Sequence, residues 1–155
     1  MIWHNRVLLC LGRHVPWLAR VILAGVARGM KKHPERVFGP SFIQALPAAD
    51  QLALQHPLLR NALSASMREA FRHGVEGPWY DGQLYIRPWG FRCQDIQAKV
   101  LISHGEKDVH VPVSLGRWLA AAIPNCQAVF YPEETHLSLP LNRTREIFAR
   151  LVENR

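Results

Sequence analysis

"LISHGEKDVHVP", residues 101–112, is the stretch on which the fold turns. Its apolar start, extended upstream by Lys99-Val100, ends at His104-Gly105 and breaks into a polar turn carrying Asp108 before Val111-Pro112. A short continuous apolar run bounded this way predicts a parallel strand buried on both faces. Downstream, "VSLGRWLAAAIP" reads as a helix with Leu115, Leu119 and Ala122 facing one way. "QAVFYP" reads as a second buried strand. Asn142 is expected to cap a final helix, "RTREIFARLVEN", with Ile147, Phe148, Leu151 and Val152 on its inner face. Strand, helix, strand, helix predicts a parallel, right-handed crossover unit and an α/β fold class.

In such a unit both strands run the same way, so the turns after them share one edge, where ligands and reactive groups gather. Asp108 lies in the first of these turns and His136 in the second. A carboxylate-to-imidazole hydrogen bond between them is geometrically natural. It would fix the imidazole tautomer and stabilise the protonated ring during proton transfer. Singly, each residue has an ordinary explanation, because Asp bonds its own turn backbone and a loop His is usually solvated. Their joint placement after consecutive strands favours the pair.

Working upstream, the first third has a helical rhythm. Trp3, Val7, Leu8 and Leu11, then Trp17, Leu18, Val21, Ile22 and Val26, recur at three- and four-residue spacing. Pro16 suits the first turn of a second helix, and Lys31, Lys32 and His33 before Pro34 suit its end. "ERVFGPSFIQAL" is short and broken by Gly39-Pro40. "AADQLALQHP" is a brief helix. "LLRNALSASMREAFRHG" is a longer one ending at Gly74, with Leu59, Leu63, Met67, Ala70 and Phe71 as its stripe. "VEGPWYDGQLYIRPWGFRC" is rich in Gly, Pro, Trp and Tyr and is expected to be a structured loop.

The chain of 155 residues suits one domain with a real core. Its net charge of +7 makes an anionic partner conceivable. The cations mostly sit singly among apolar residues, however, and no basic run interleaves with aromatics, which argues against nucleic acid. Cys10, Cys93 and Cys126 form no C-x-x-C pair and leave one over, so a reducing, cytoplasmic setting is expected. The apolar run near the N-terminus is shorter than a signal core, and no stretch of about 18 residues is free of charge, so neither a leader nor a membrane span is expected.

The run "IQAKVLISHGEKDVHVPVSLGRWLAAAIPNCQAVFYPEETHLSLPLN" resembles the C-terminal part of the α/β-hydrolase family. That family shows an apolar strand ending in His-Gly, an acid three residues after the Gly, Val-Pro before a helix, and a His after the next strand. "GPWYDGQLYIRPWGF" resembles the segment by which many such hydrolases re-enter the core from a helical cap. The resemblance implies a partial α/β-hydrolase fold. Residues 1–75 would be the cap, 76–95 the re-entry segment, and 96–155 the C-terminal part of the core. It also implies that Asp108 is the acid of a catalytic triad and His136 its base, acting on a small-molecule ester or amide without cofactor or metal. One departure is Thr135, where the family usually has Gly.

The larger departure is the nucleophile. The family carries it in G-x-S-x-G on a strand-to-helix elbow, and no such motif precedes Asp108. Ser41 has glycine on only one side, Ser64 and Ser66 fall mid-helix, and Ser103 lies inside the first strand. Ser138 follows His136 too closely, and Cys126 belongs at the wrong sheet edge. The oxyanion-hole segment is missing as well. The expectation is a hydrolase portion silent on its own. The alternative is a non-catalytic binding or self-assembly module, completed at its edge strand by another copy or a partner chain.

Three further constellations are weighed and set aside. His104, His110 and His136 match no standard metal-ligand spacing. Trp79 and Trp89 suit packing better than a substrate pocket. The basic N-terminal helices could lie on an anionic membrane, but cap helices need an apolar face anyway, so no membrane partner is expected.

Overall fold

A computed structural model describes residues 3–32 and 38–153, without the side chains of Trp3, His4 and Ser41. The readings placed on those side chains and on residues 33–37 lie outside the described residues. The fold is mixed α/β: eight helices, a single-turn 3-10 helix at Cys93–Asp95, and a two-stranded parallel sheet among the described residues. These residues form two compact units. One comprises 46–55 with 90–153, and the other 3–32, 38–45 and 56–89. The sequence groups 46–55 with the N-terminal helices, whereas the contacts group it with the strands.

In the helical unit, α1 (Trp3–His14) and α2 (Pro16–Lys32) are followed by α3 (Pro40–Gln44), α5 (Pro57–Ala70) and α6 (Glu76–Ile86). Pro16, Pro40 and Pro57 each open a helix, where the absent N–H has no intrahelical acceptor to serve. The chain turns after α5 through Gly74, whose φ of 82° is one that glycine adopts without strain. Leu23, Ala27 and Phe71 are buried together, with Leu8, Met30, Met67, Val75 and Trp79 packed around them.

The structure identifies the packing face of α2 and corrects one expectation. The buried face of α2 is Ala19, Leu23 and Ala27, whereas Trp17, Val21, Ile22 and Val26 point outward, Trp17 being 67% exposed. Ala19, Leu23 and Ala27, at four-residue spacing, form the packing seam, a choice that apolar periodicity alone does not make. The stretch expected to be a loop is helical over α6, because Gly77 and Pro78 fall in its first turn, where breakers cost little. Gly77 is also where α6 meets α5, since a β-carbon there would stand 2.9 Å from the Ala70 carbonyl oxygen.

In the other unit, α4 (Ala48–Ala53) accompanies β1 (Val100–Gly105), α7 (Val113–Ala122), β2 (Cys126–Tyr131) and α8 (Ser138–Glu153). β1 and β2 pair in parallel from Val100 opposite Cys126 to Gly105 opposite Tyr131. The expected strand–helix–strand–helix order is therefore present. The expected burial of both strand faces is not: most of β1 is half-buried, and Gln127 and Ala128 of β2 are exposed. With two strands, the apolar faces have too little to pack against.

The helix faces differ correspondingly from expectation. In α7 the buried position is Gly116, and Leu115 is exposed. In α8, Phe148, Leu151 and Val152 are exposed although read as the inner face. α8 also begins four residues before Asn142, at Ser138, because an acceptor from outside the local sequence meets its first N–H groups.

Candidate functional site

The turns after β1 and β2 are brought together by backbone contacts before any functional side chain is involved. Glu106 N–H donates to the Tyr131 carbonyl at 2.9 Å, and Lys107 N–H to the Glu134 carbonyl at 3.1 Å. The close approach needs the missing side chain of Gly105, which sits against the Glu134–Thr135 peptide. Lys107 pairs with Glu133 across the same junction.

Asp108 is fixed by its own turn. Its Oδ1 accepts the N–H groups of His110 at 2.7 Å and Val111 at 2.9 Å. This is the ordinary structural use of a turn aspartate, and it leaves Oδ2 for another donor. His136 supplies that donor: its Nδ1 lies 2.9 Å from Asp108 Oδ2. The Asp108 side chain is 7% exposed and that of His136 44%. A nearly buried carboxylate thus holds a half-exposed imidazole by its Nδ1.

The electrostatics follow. Burial works to raise the Asp108 carboxyl, but the His136 hydrogen bond, the Val111 and His110 amides and the imidazolium charge outweigh it and hold the carboxyl below its usual range. The Asp108 hydrogen bond lifts His136 above ordinary imidazole, against a partial penalty from burial. The ring of His110 lies 4.8 Å from that of His136. Burial lowers His110, and repulsion from His136 lowers it further. Two adjacent imidazoles are thus shifted in opposite directions.

His104 is placed differently from the other two histidines. Its Nε2 lies 3.1 Å from the Val111 carbonyl, and its ring lies over Gly116 of α7. Among the described residues no three His, Cys, Asp or Glu side chains are grouped as metal ligands. Trp79 packs in the helical unit with Arg20 stacked 5.4 Å above its ring, while Trp89 is exposed and bonds the Leu84 carbonyl.

Among the described side chains, the hydroxyls and thiol weighed as nucleophiles lie as follows. Ser138 Oγ donates to Glu134 at 2.6 Å and accepts from the Thr135 N–H at 2.9 Å, and the residue is buried. Cys126 starts β2, at the edge opposite His136. Ser103 lies inside β1, and Ser64 and Ser66 lie inside α5.

Sequence reasoning missed the residues that shape the His136 turn. Glu134 is buried and accepts from Ser138, Asn142 at 3.1 Å and Arg143 at 3.0 Å. Burial would raise its carboxyl, but these donors hold it below the usual range. Asn142, read as a cap, is thereby a donor to this carboxylate. Thr135 has no positive φ, and its hydroxyl donates to Asp50 of α4. Asp50 also accepts the N–H groups of Leu137 and Ser138. The signal available was an acid inside the apolar pattern of "AADQLALQ", which marks a buried carboxylate but not its partners.

No protein-family model, curated protein or solved structure matches the chain.

Proposed function

We propose that this chain carries the acid and base of a hydrolytic triad, built on the C-terminal portion of an α/β-hydrolase-like core. Asp108 orients and charges His136, and His136 takes a proton from a serine-type nucleophile attacking an ester or amide, then returns it to the leaving group. The observation that carries this reading is the 2.9 Å Asp108–His136 bond at the carboxyl edge of two parallel strands. The imidazole is held by a nearly buried carboxylate while the His136 side chain stays 44% exposed.

The chain contains no nucleophile elbow, so the proton-transfer pair acts on a hydroxyl supplied by another segment or chain. Without the nucleophile and oxyanion donors, little transition-state stabilisation is left. A serine-directed fluorophosphonate probe tests this. The 155-residue chain alone should not label, and stoichiometric labelling would overturn the reading.

A second reading is supported by the two-stranded sheet and the outward Leu115, Trp118, Phe148, Leu151 and Val152. In it the unit is an assembly module, completed by another copy or a partner adding to the sheet. Light scattering decides: a monomer that unfolds cooperatively at all concentrations would count against it.

A further inference from the structure

We propose that Asp50 is a positioning residue for the Asp108–His136 pair, its buried carboxylate locking the turn that presents the imidazole. The Asp50 side chain is fully buried, and its Oδ1 accepts from the Thr135 hydroxyl, the Leu137 N–H at 2.8 Å and the Ser138 N–H at 3.2 Å. These donors bracket His136 on both sides. Position 136 therefore has its backbone fixed by one oxygen atom from a helix about ninety residues earlier in the chain, and fixed backbone limits where a ring can reach.

The ring needs such a device. His136 is half-exposed, so packing alone does not define its orientation, and its contacts are Asp108 on one side and the His110 ring on the other. A carboxylate–imidazole bond weakens steeply with lost distance or angle. Displacement of the turn would cost the pair its geometry while leaving β1, α7 and β2 intact. The Asp50 charge also favours the protonated ring, a smaller contribution than that of Asp108.

Among the described residues, Asp50 Oδ2 has no donor. The three bonds that matter therefore need one carbonyl-type oxygen, which an asparagine can provide. This separates positioning from charge: D50N keeps the acceptor, whereas D50A removes it.

The proposal takes its functional meaning from the triad reading above, but its test does not depend on a nucleophile. The His136 ring protons are followed by NMR through a pH titration of the full chain in the wild type, D108N, D50A and D50N. D108N should bring the His136 midpoint down toward free imidazole. D50A should bring it down in the same direction, with faster exchange of the Leu137 and Ser138 amides. D50N should stay nearer the wild type than D50A does. A folded D50A with the wild-type midpoint would overturn the proposal, because a residue that merely caps α8 would not move this titration. If D50A does not fold, T135V carries the test by deleting one donor: a lowered midpoint supports the lock and an unchanged one overturns it. An unchanged midpoint in D108N would instead sink the pair itself, so the two failures are distinguishable.

Discussion

Gly105 and Glu134 approach so closely that a β-carbon on Gly105 would stand 2.6 Å from the Glu134 carbonyl carbon and 2.9 Å from the Thr135 nitrogen. The obstructing atoms are backbone and cannot swing aside. G105A should therefore displace the His136 turn and cost about 1–3 kcal/mol, the usual penalty of overpacking. Urea denaturation measures the loss. The NMR titration of His136 should show the ring released from Asp108.

A second close approach joins β1 to α7. A β-carbon on Gly116 would stand 2.7 Å from His104 Nδ1. G116A should destabilise the chain by about 1–3 kcal/mol. Here the obstruction is a side chain, so the double variant G116A/H104A should recover part of the loss. A double-mutant cycle with additive energies would show that the two positions do not meet.

Thr135 stands where the resemblance calls for glycine, and the geometry explains why glycine is not needed. Thr135 does not have positive φ, and its hydroxyl has a buried acceptor in Asp50. T135G should therefore weaken the protein by about 1–2 kcal/mol, through a lost hydrogen bond and a more flexible unfolded chain. Thermal and urea unfolding should agree on the direction.

The Asp108–His136 pair also sets a pH window. The raised His136 contributes stability that is complete below its ordinary 6.5 and is lost as pH rises through its elevated folded value. The lowered Asp108 contributes stability that is complete above its ordinary 3.8 and is lost as pH falls through its depressed folded value. Both contributions are complete between those two limits. His110 opposes on the acid side: its folded value is depressed, so stability falls as pH drops below 6.5 toward it. The stability difference between wild type and H136A should be largest in the mildly acidic range and shrink toward alkaline pH. Solvent screening at the half-exposed ring keeps the effect modest.

The Asp108–His136 juxtaposition was legible because its signals are local. The apolar run to His104-Gly105, the turn aspartate and the histidine after the next strand each sit within a few residues of the feature that explains them. The packing faces were less legible. Large side chains dominate apolar periodicity, yet α2 packs through Ala19 and Ala27 beside Leu23, and α7 through Gly116, where closeness matters as well as size. The Asp50 contacts were out of reach for a different reason. Nothing near residue 50 specifies that its carboxylate accepts from a turn 85 residues on. The start of α8 was misplaced for the same cause, since its N-terminal acceptor comes from that distant carboxylate.

The same long-range link bears on the order of folding. β1, α7 and β2 are neighbours in sequence and can assemble with short loops, whereas joining Asp50 to Thr135 closes a loop spanning 85 residues. Loop-closure entropy makes that step the slower one, because it is incurred before the contacts that reward it exist. The crossover should therefore form early and Asp50 dock late. Substitutions at Asp50 would then chiefly accelerate unfolding, while those within β1 and β2 would slow refolding.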